Sequence, residues 1–171
     1  MSLQERMDTA FENYLMLSNM FLSDLKALLD SEGENQHWRR TFIRTTAPIV
    51  EGYAHCLREM CSIGLECDAQ NLPSKEKEVL SDERGFSASD RIKLTLRAAY
   101  RLFELSPSPN FSGKEWQQAK LVLEKREALM HPKTASDLEV SNESWLSMRE
   151  AVGWLIGQFD NFQELAHKKY G

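Results

Sequence analysis

The sequence predicts an all-α protein, an up-and-down helical bundle of four to five helices with a long connection over residues 68–88, on three observations. Apolar residues recur at spacings of three and four over long segments, the period of a buried helix face. Glycine and proline are sparse, 8 and 5 in 171 residues, which favours helices over turn-rich β architecture. No segment shows the strict two-residue alternation of a half-buried strand. A chain of about this length buries roughly two-thirds of its unfolded surface, so residues 1–171 are read as a single domain.

The first helix runs from about residue 5 to 29, where Met7, Phe11, Tyr14, Phe21, Leu25 and Leu28 form one apolar stripe, and the polar stretch 31–35 closes it. A second, over about 37–65, carries two adjacent seams. Ile43, Ala47, Val50, Ala54, Leu57 and Cys61 make one; Phe42, Ile49, Tyr53, Cys56, Met60 and Ile63 make the other, so this helix should be the most buried. Pro48 lies inside it, where a missing N–H and a ring clash predict a bend near Arg44 to Pro48 and leave the Arg44 carbonyl without its ladder donor. Residues 68–88 are polar and broken by Pro73 and Gly85, with one helical turn expected around Glu76 to Leu80. Ser87 with Asp90 reads as a capping pair for the third helix, whose core face is Ile92, Leu96, Ala99 and Phe103. Residues 106–110 break the chain, Ser112 is the expected cap of a fourth helix ending near Met130, and Ser141 that of a fifth. In that fifth helix Trp145, Met148, Val152, Leu155, Phe159, Phe162 and Ala166 form the seam of a bundle helix.

Composition narrows the function. A net charge of −5 means that nucleic acid or anionic lipid would need a local basic patch, for which His37–Arg40, Lys125 and Lys133 are the candidates. No window approaches the 18 or so apolar residues of a membrane span, and residues 1–14 lack the apolar core of a signal peptide, so the expectation is a cytoplasmic protein with no membrane partner. Cys56, Cys61 and Cys67 fit neither a disulfide framework nor a zinc site and are expected as reduced packing residues. No cluster has metal-ligand spacing, and no cofactor is expected.

The fourth helix contains the one discordant residue. Arg126 falls four residues after Val122 and three after Leu123, with Leu129 and Met130 one turn on. A guanidinium on an apolar stripe requires a partner, because an unpaired buried charge costs several kcal/mol. His131 precedes Pro132, which biases it out of helical geometry and lets its imidazole fold back towards Arg126. The plainer alternative is that Arg126 pairs with a core carboxylate while His131 caps carbonyls at the helix end. On the second helix Arg40, Arg44, Glu51, His55 and Arg58, at intervals of four, seven, four and three, share one face. That face is either a solvated, salt-bridged surface or the wall of a cleft in which Arg44 joins the fourth helix and Glu51 pairs with Arg126.

Arg126 and His131 in KREALMHPK, followed by a long amphipathic final helix, together with residues 39–59 as an arginine-rich, glutamate-containing second helix, resemble the HEPN superfamily. Its members are small helical bundles with an Arg, four to six residues and a His near the end of a late helix. They usually place Asn, Asp or His directly after the arginine, where this chain has Glu127. The resemblance implies a metal-independent endoribonuclease, acting in a toxin–antitoxin or defence system beside a cognate antitoxin or nucleotidyltransferase. The RNA's own 2′-hydroxyl would attack the adjacent phosphorus, with His131 moving the proton and Arg126 stabilising developing charge. Arg44, Glu51, Lys125, Glu127 and Lys133 would support the site or hold substrate. The resemblance also implies a homodimer whose two sites face one another, so that two motifs together supply base, acid and cation. Four tryptophans and eight phenylalanines suggest some exposed aromatic surface for such a contact. The alternative function, favoured by Glu127 and the acidic balance, is a catalytically silent dimeric module that binds a nucleotide or a partner protein.

Overall fold

The computed structural model describes residues 1–31, 33, 35–67 and 72–170, the side chain of Cys67 excepted. Among these residues all regular structure is helical: α1 (Leu3–Asp30), α2 (Gln36–Cys67), α3 (Ser74–Ser81), α4 (Ala88–Leu102), α5 (Lys114–Met130), a 3₁₀ turn (Ala135–Leu138) and α6 (Asn142–Tyr170). Six α-helices thus replace the five expected. The addition is α3, which takes eight residues out of the expected connection because Glu76, Val79 and Leu80, at spacings of three and four, give it a face that can be buried. Residues 68–71 of that connection, Glu32 and Glu34 in the polar stretch after α1, and the Cys67 thiol lie outside the described residues. No helix among the described residues is long and apolar enough to cross a membrane.

The signals of the two most strongly patterned helices hold, whereas in α1 only Tyr14 and Leu28 of the expected stripe are buried. All twelve seam positions of α2 and all seven of α6 are buried, and Pro48 lies inside α2. Ser87 Oγ accepts the Asp90 N–H at 3.1 Å and donates to its carboxylate at 2.8 Å, and Ser141 Oγ accepts the Ser144 N–H at 3.1 Å. At α5 the expected cap is corrected by two features. Gly113, not Ser112, is the capping residue, and the Ser112 N–H is taken instead by the Asn110 side chain at 3.0 Å, which turns the chain one residue earlier. None of the four tryptophans or eight phenylalanines is exposed, contrary to the expected aromatic surface; the exposed large apolar residues are methionines, leucines and Tyr170. Ring–ring pairing explains where the aromatic side chains went.

The chain forms two compact units. In the first (residues 1–19, 51–109 and 158–171), Tyr53 stacks on Phe159 at 5.2 Å, and Tyr14 donates its hydroxyl to the Phe159 carbonyl at 3.1 Å. Buried Leu57, Met60, Ile92 and Leu96 complete that core, together with Cys61, a free thiol that burial pushes far above its ordinary pKa. Cys56 is also free and buried, as a packing residue should be. α4 ends in a Schellman motif, in which the Leu105 N–H bonds the Tyr100 carbonyl at 2.8 Å and the Glu104 N–H bonds that of Arg101 at 3.1 Å. Glu104 occupies the left-handed position, φ 45°, where glycine is usual.

The second unit (residues 20–50 and 110–157) is built round Trp145, which meets Trp38 edge-on at 5.2 Å and Phe42 at 5.1 Å. The guanidinium groups of Arg39 and Arg149 lie 5.9 and 5.7 Å from the same indole, a cation–π arrangement. This aromatic cluster fixes the start of α2 against the start of α6, and α5 with the connection that follows it carries the candidate site.

Candidate functional site

An α-helix leaves its last four carbonyls without intrahelical donors, so whatever meets them decides how the chain leaves the helix. At the end of α5 one of these, the Leu129 carbonyl, accepts a hydrogen bond from Arg44 Nη2 at 2.8 Å. A cation at a helix C-terminus is also favoured by the macrodipole. His131 is the capping residue, and its backbone (φ −129°, ψ 58°) has left helical geometry as a pre-proline residue should.

Beyond Pro132 the chain is held by one carboxylate. Asp137 accepts the backbone N–H groups of Lys133 and Thr134, each at 2.8 Å, which holds its carboxyl below the usual range. Thr134 and Asp137 form a capping box around the 3₁₀ turn. Three further side chains bond carbonyls of this connection: Lys125 that of Asp137 at 2.9 Å, Arg40 that of Leu138 at 3.1 Å, and Arg39 that of Val140 at 2.9 Å. Gln36 both donates to and accepts from the backbone of Val140, at 2.8 and 2.9 Å. The arginines at the start of α2 therefore brace the segment that follows His131. Arg39 is buried, and Arg40 and Lys125 are half-buried, so their charge is turned on main-chain oxygen; Lys133 and His37 are exposed.

Within this frame the side chains of Arg126 and His131 meet through Glu127. Arg126 Nη1 lies 3.2 Å from one oxygen of the Glu127 carboxylate, and His131 Nε2 lies 3.7 Å from the other. Arg126 is half-buried, with Val122, Leu123 and Leu129 buried around its turn, while Met130, expected on the core face, is exposed. His131 and Glu127 are mostly exposed, at 75% and 64%. One guanidinium N–H and an imidazole nitrogen on opposite oxygens of one carboxylate define a position that suits an oxyanion. The ring can donate to such a group when its facing nitrogen is protonated and accept a proton when it is not.

The structure thus brings together Arg126, Glu127 and His131, and places Arg44 on the carbonyl of the same last turn. Lys125, by its side chain, and Lys133, by its backbone N–H, meet Asp137 in the connection that follows. Glu51 belongs to the first unit, where it lines a hollow described below. Sequence reading missed two things here. Thr134 and Asp137 match the Ser/Thr-x-x-acid capping pattern and were legible. That Glu127 would stand between the two motif residues was not, because adjacent residues on a helix point about 100° apart and only the rotamers bring their tips together. Among the described residues no group of three or more His, Cys, Asp or Glu side chains is placed to hold a metal ion. Compared with family models, curated proteins and solved structures, the chain matches none.

Proposed function

We propose that the chain is a HEPN-like bundle protein acting as a metal-independent endoribonuclease, with Arg126 and His131 as its catalytic pair. The observation that carries this reading is their convergence on one carboxylate, since two groups that flank a carboxylate can flank a phosphate. In the reaction a 2′-hydroxyl loses its proton as its oxygen attacks the adjacent phosphorus, the bond from phosphorus to the 5′-oxygen breaks, and that leaving oxygen takes up a proton. His131 serves as proton acceptor or donor, and Arg126 stabilises the charge on the phosphoryl oxygens. A second copy of the chain, its site facing the first, supplies the other proton-transfer group. Glu127 must give way to the substrate. The setting that goes with this reading is a cytoplasmic toxin or defence component encoded beside an antitoxin or a nucleotidyltransferase.

A second reading, a silent dimeric module that binds a nucleotide or a partner protein, is favoured by the same Glu127, which already occupies the anion position. Incubation of RNA with the protein in EDTA separates the two. On the enzyme reading, wild type cleaves, Arg126→Ala and His131→Ala do not, and Glu127→Gln cleaves about tenfold faster because the competing charge is gone. If neither wild type nor Glu127→Gln cuts any RNA, the silent module stands. Light scattering should give about twice the monomer mass of 19.7 kDa. Mixed Arg126→Ala and His131→Ala subunits should recover part of the activity if the site is shared.

A further inference from the structure

The helix face that carries Arg40 and Arg44 continues along α2 as Glu51, His55 and Arg58, and the last two have no part in the ribonuclease reading. In the first unit these three residues line a hollow of about 380 Å³, closed by the loop between α3 and α4 and by the first turn of α4, with Ala54 and Ile92 as apolar floor. Its volume is within the range of small-molecule sites, roughly 300–1,000 Å³.

One wall holds an unusual charge arrangement. Arg58 on α2 and Arg91 on α4 both reach the Glu83 carboxylate from the intervening loop: Arg58 Nη2 at 2.5 Å and Arg91 Nε at 3.8 Å from the same oxygen. The Arg58 side chain is only 12% exposed, whereas that of Glu83 is 44% exposed. His55 Nδ1 lies 3.3 Å from the Arg58 guanidinium, and the other ring nitrogen lies 3.5 Å from Glu59. Two cations are therefore fixed on helices, and the anion between them is supplied by a loop. Gly85, at φ 90°, lets that loop turn sharply two residues beyond Glu83.

We propose that this hollow binds the phosphate group of a small phosphate monoester, and that Glu83 is an internal stand-in for that phosphate which leaves as the ligand enters. Forked guanidinium groups pair with phosphate as they do with carboxylate, and a phosphate offers more acceptor oxygens than the one they share now. With Glu83 turned out, Arg58 and Arg91 face Glu51 alone among the lining carboxylates, a surplus of positive charge even with His55 neutral. The proposal uses neither Arg126 nor His131, so it stands or falls independently of the ribonuclease reading.

Calorimetric titration at constant ionic strength tests it, with ribose 5-phosphate as probe and ribose and inorganic phosphate as controls. Glu83→Gln should bind ribose 5-phosphate about tenfold more tightly than wild type, and adding Arg91→Ala should cancel the gain. Arg91 is a third exposed, so this variant should fold, which circular dichroism verifies. Inorganic phosphate should bind more weakly and ribose not at all. No gain in Glu83→Gln, or a gain that survives Arg91→Ala, overturns the proposal; equal binding of ribose overturns the assignment to phosphate.

Discussion

Glu76 is 3% exposed, and its carboxylate faces the Nε of Arg101 at 3.1 Å, joining α3 to α4. Burial pushes this carboxyl above its ordinary value, while Arg101 first and Arg97 second draw it back down. Replacing Arg101 by alanine leaves the carboxylate buried without its ion pair. A fully enclosed pair broken in this way costs about 3–5 kcal/mol; Arg101 is half-exposed and water can reach its place, so we expect about 2 kcal/mol at pH 7. The loss should depend on pH in a definite direction. A carboxyl whose folded pKa is raised takes up a proton more readily when folded, so the stability it contributes is complete below its unfolded value, about 4.3, and is lost as pH rises through the folded value. Removing Arg101 raises the folded value further, so the penalty should shrink as pH is lowered from 7 towards 5. Urea denaturation at stepped pH, on wild type, Arg101→Ala, Glu76→Gln and the double variant, measures this. Glu76→Gln should be at least as stable as wild type at pH 7, and in its background Arg101→Ala should cost little. A penalty identical at pH 7 and 5, or a Glu76→Gln as unstable as Arg101→Ala, would refute the reasoning.

Arg44→Ala should cost about 1–2 kcal/mol through the lost bond to the Leu129 carbonyl and speed hydrogen exchange in the last turn of α5; Arg44→Lys should recover part of it. Trp145→Ala should cost about 3–5 kcal/mol in thermal unfolding, because it empties the centre of the Trp38–Phe42 cluster, and Trp145→Phe should cost less. Glu104→Gly relieves a left-handed residue and forfeits only an exposed pair with Lys169 at 2.9 Å, so it should raise stability by about 0.5 kcal/mol; a fall would mean that the pair outweighs the backbone strain.

What the sequence reveals of the fold is what local periodicity and caps can encode. The seams of α2 and α6 were readable because each buried position repeats its neighbour's spacing over several turns. α3 was underestimated for the opposite reason. Eight residues hold barely two turns, and the buried member that begins its face is a glutamate, which reads as surface until Arg101, twenty-five residues away, is known to meet it. Ser112 failed as a cap because Ser, Asn and Gly cluster before α5, and which of them ends the loop is decided by whether the Asn110 side chain takes the intervening N–H.

The candidate site was less legible, and the α2 face shows why. Arg40, Arg44, Glu51, His55 and Arg58 share one helix face, and spacing alone assigns them one surface. Their partners divide them. Arg40 and Arg44 meet the carbonyls of Leu138 and Leu129, which no sequence pattern marks because every residue has a carbonyl. Arg58 meets Glu83, a loop residue twenty-five positions on. The division falls between Val50 and Glu51, where the chain passes from one unit to the other. A charge on a helix is thus an incomplete statement until its counter-group is known. The same holds for Arg126: its place on an apolar turn showed that something must meet it, and one group that does is the neighbouring Glu127. Glu127→Gln is for that reason the most informative single substitution in the second unit. It removes the charge that lies against both Arg126 and His131 while leaving the helix, the capping histidine and the carbonyl-bound arginines in place.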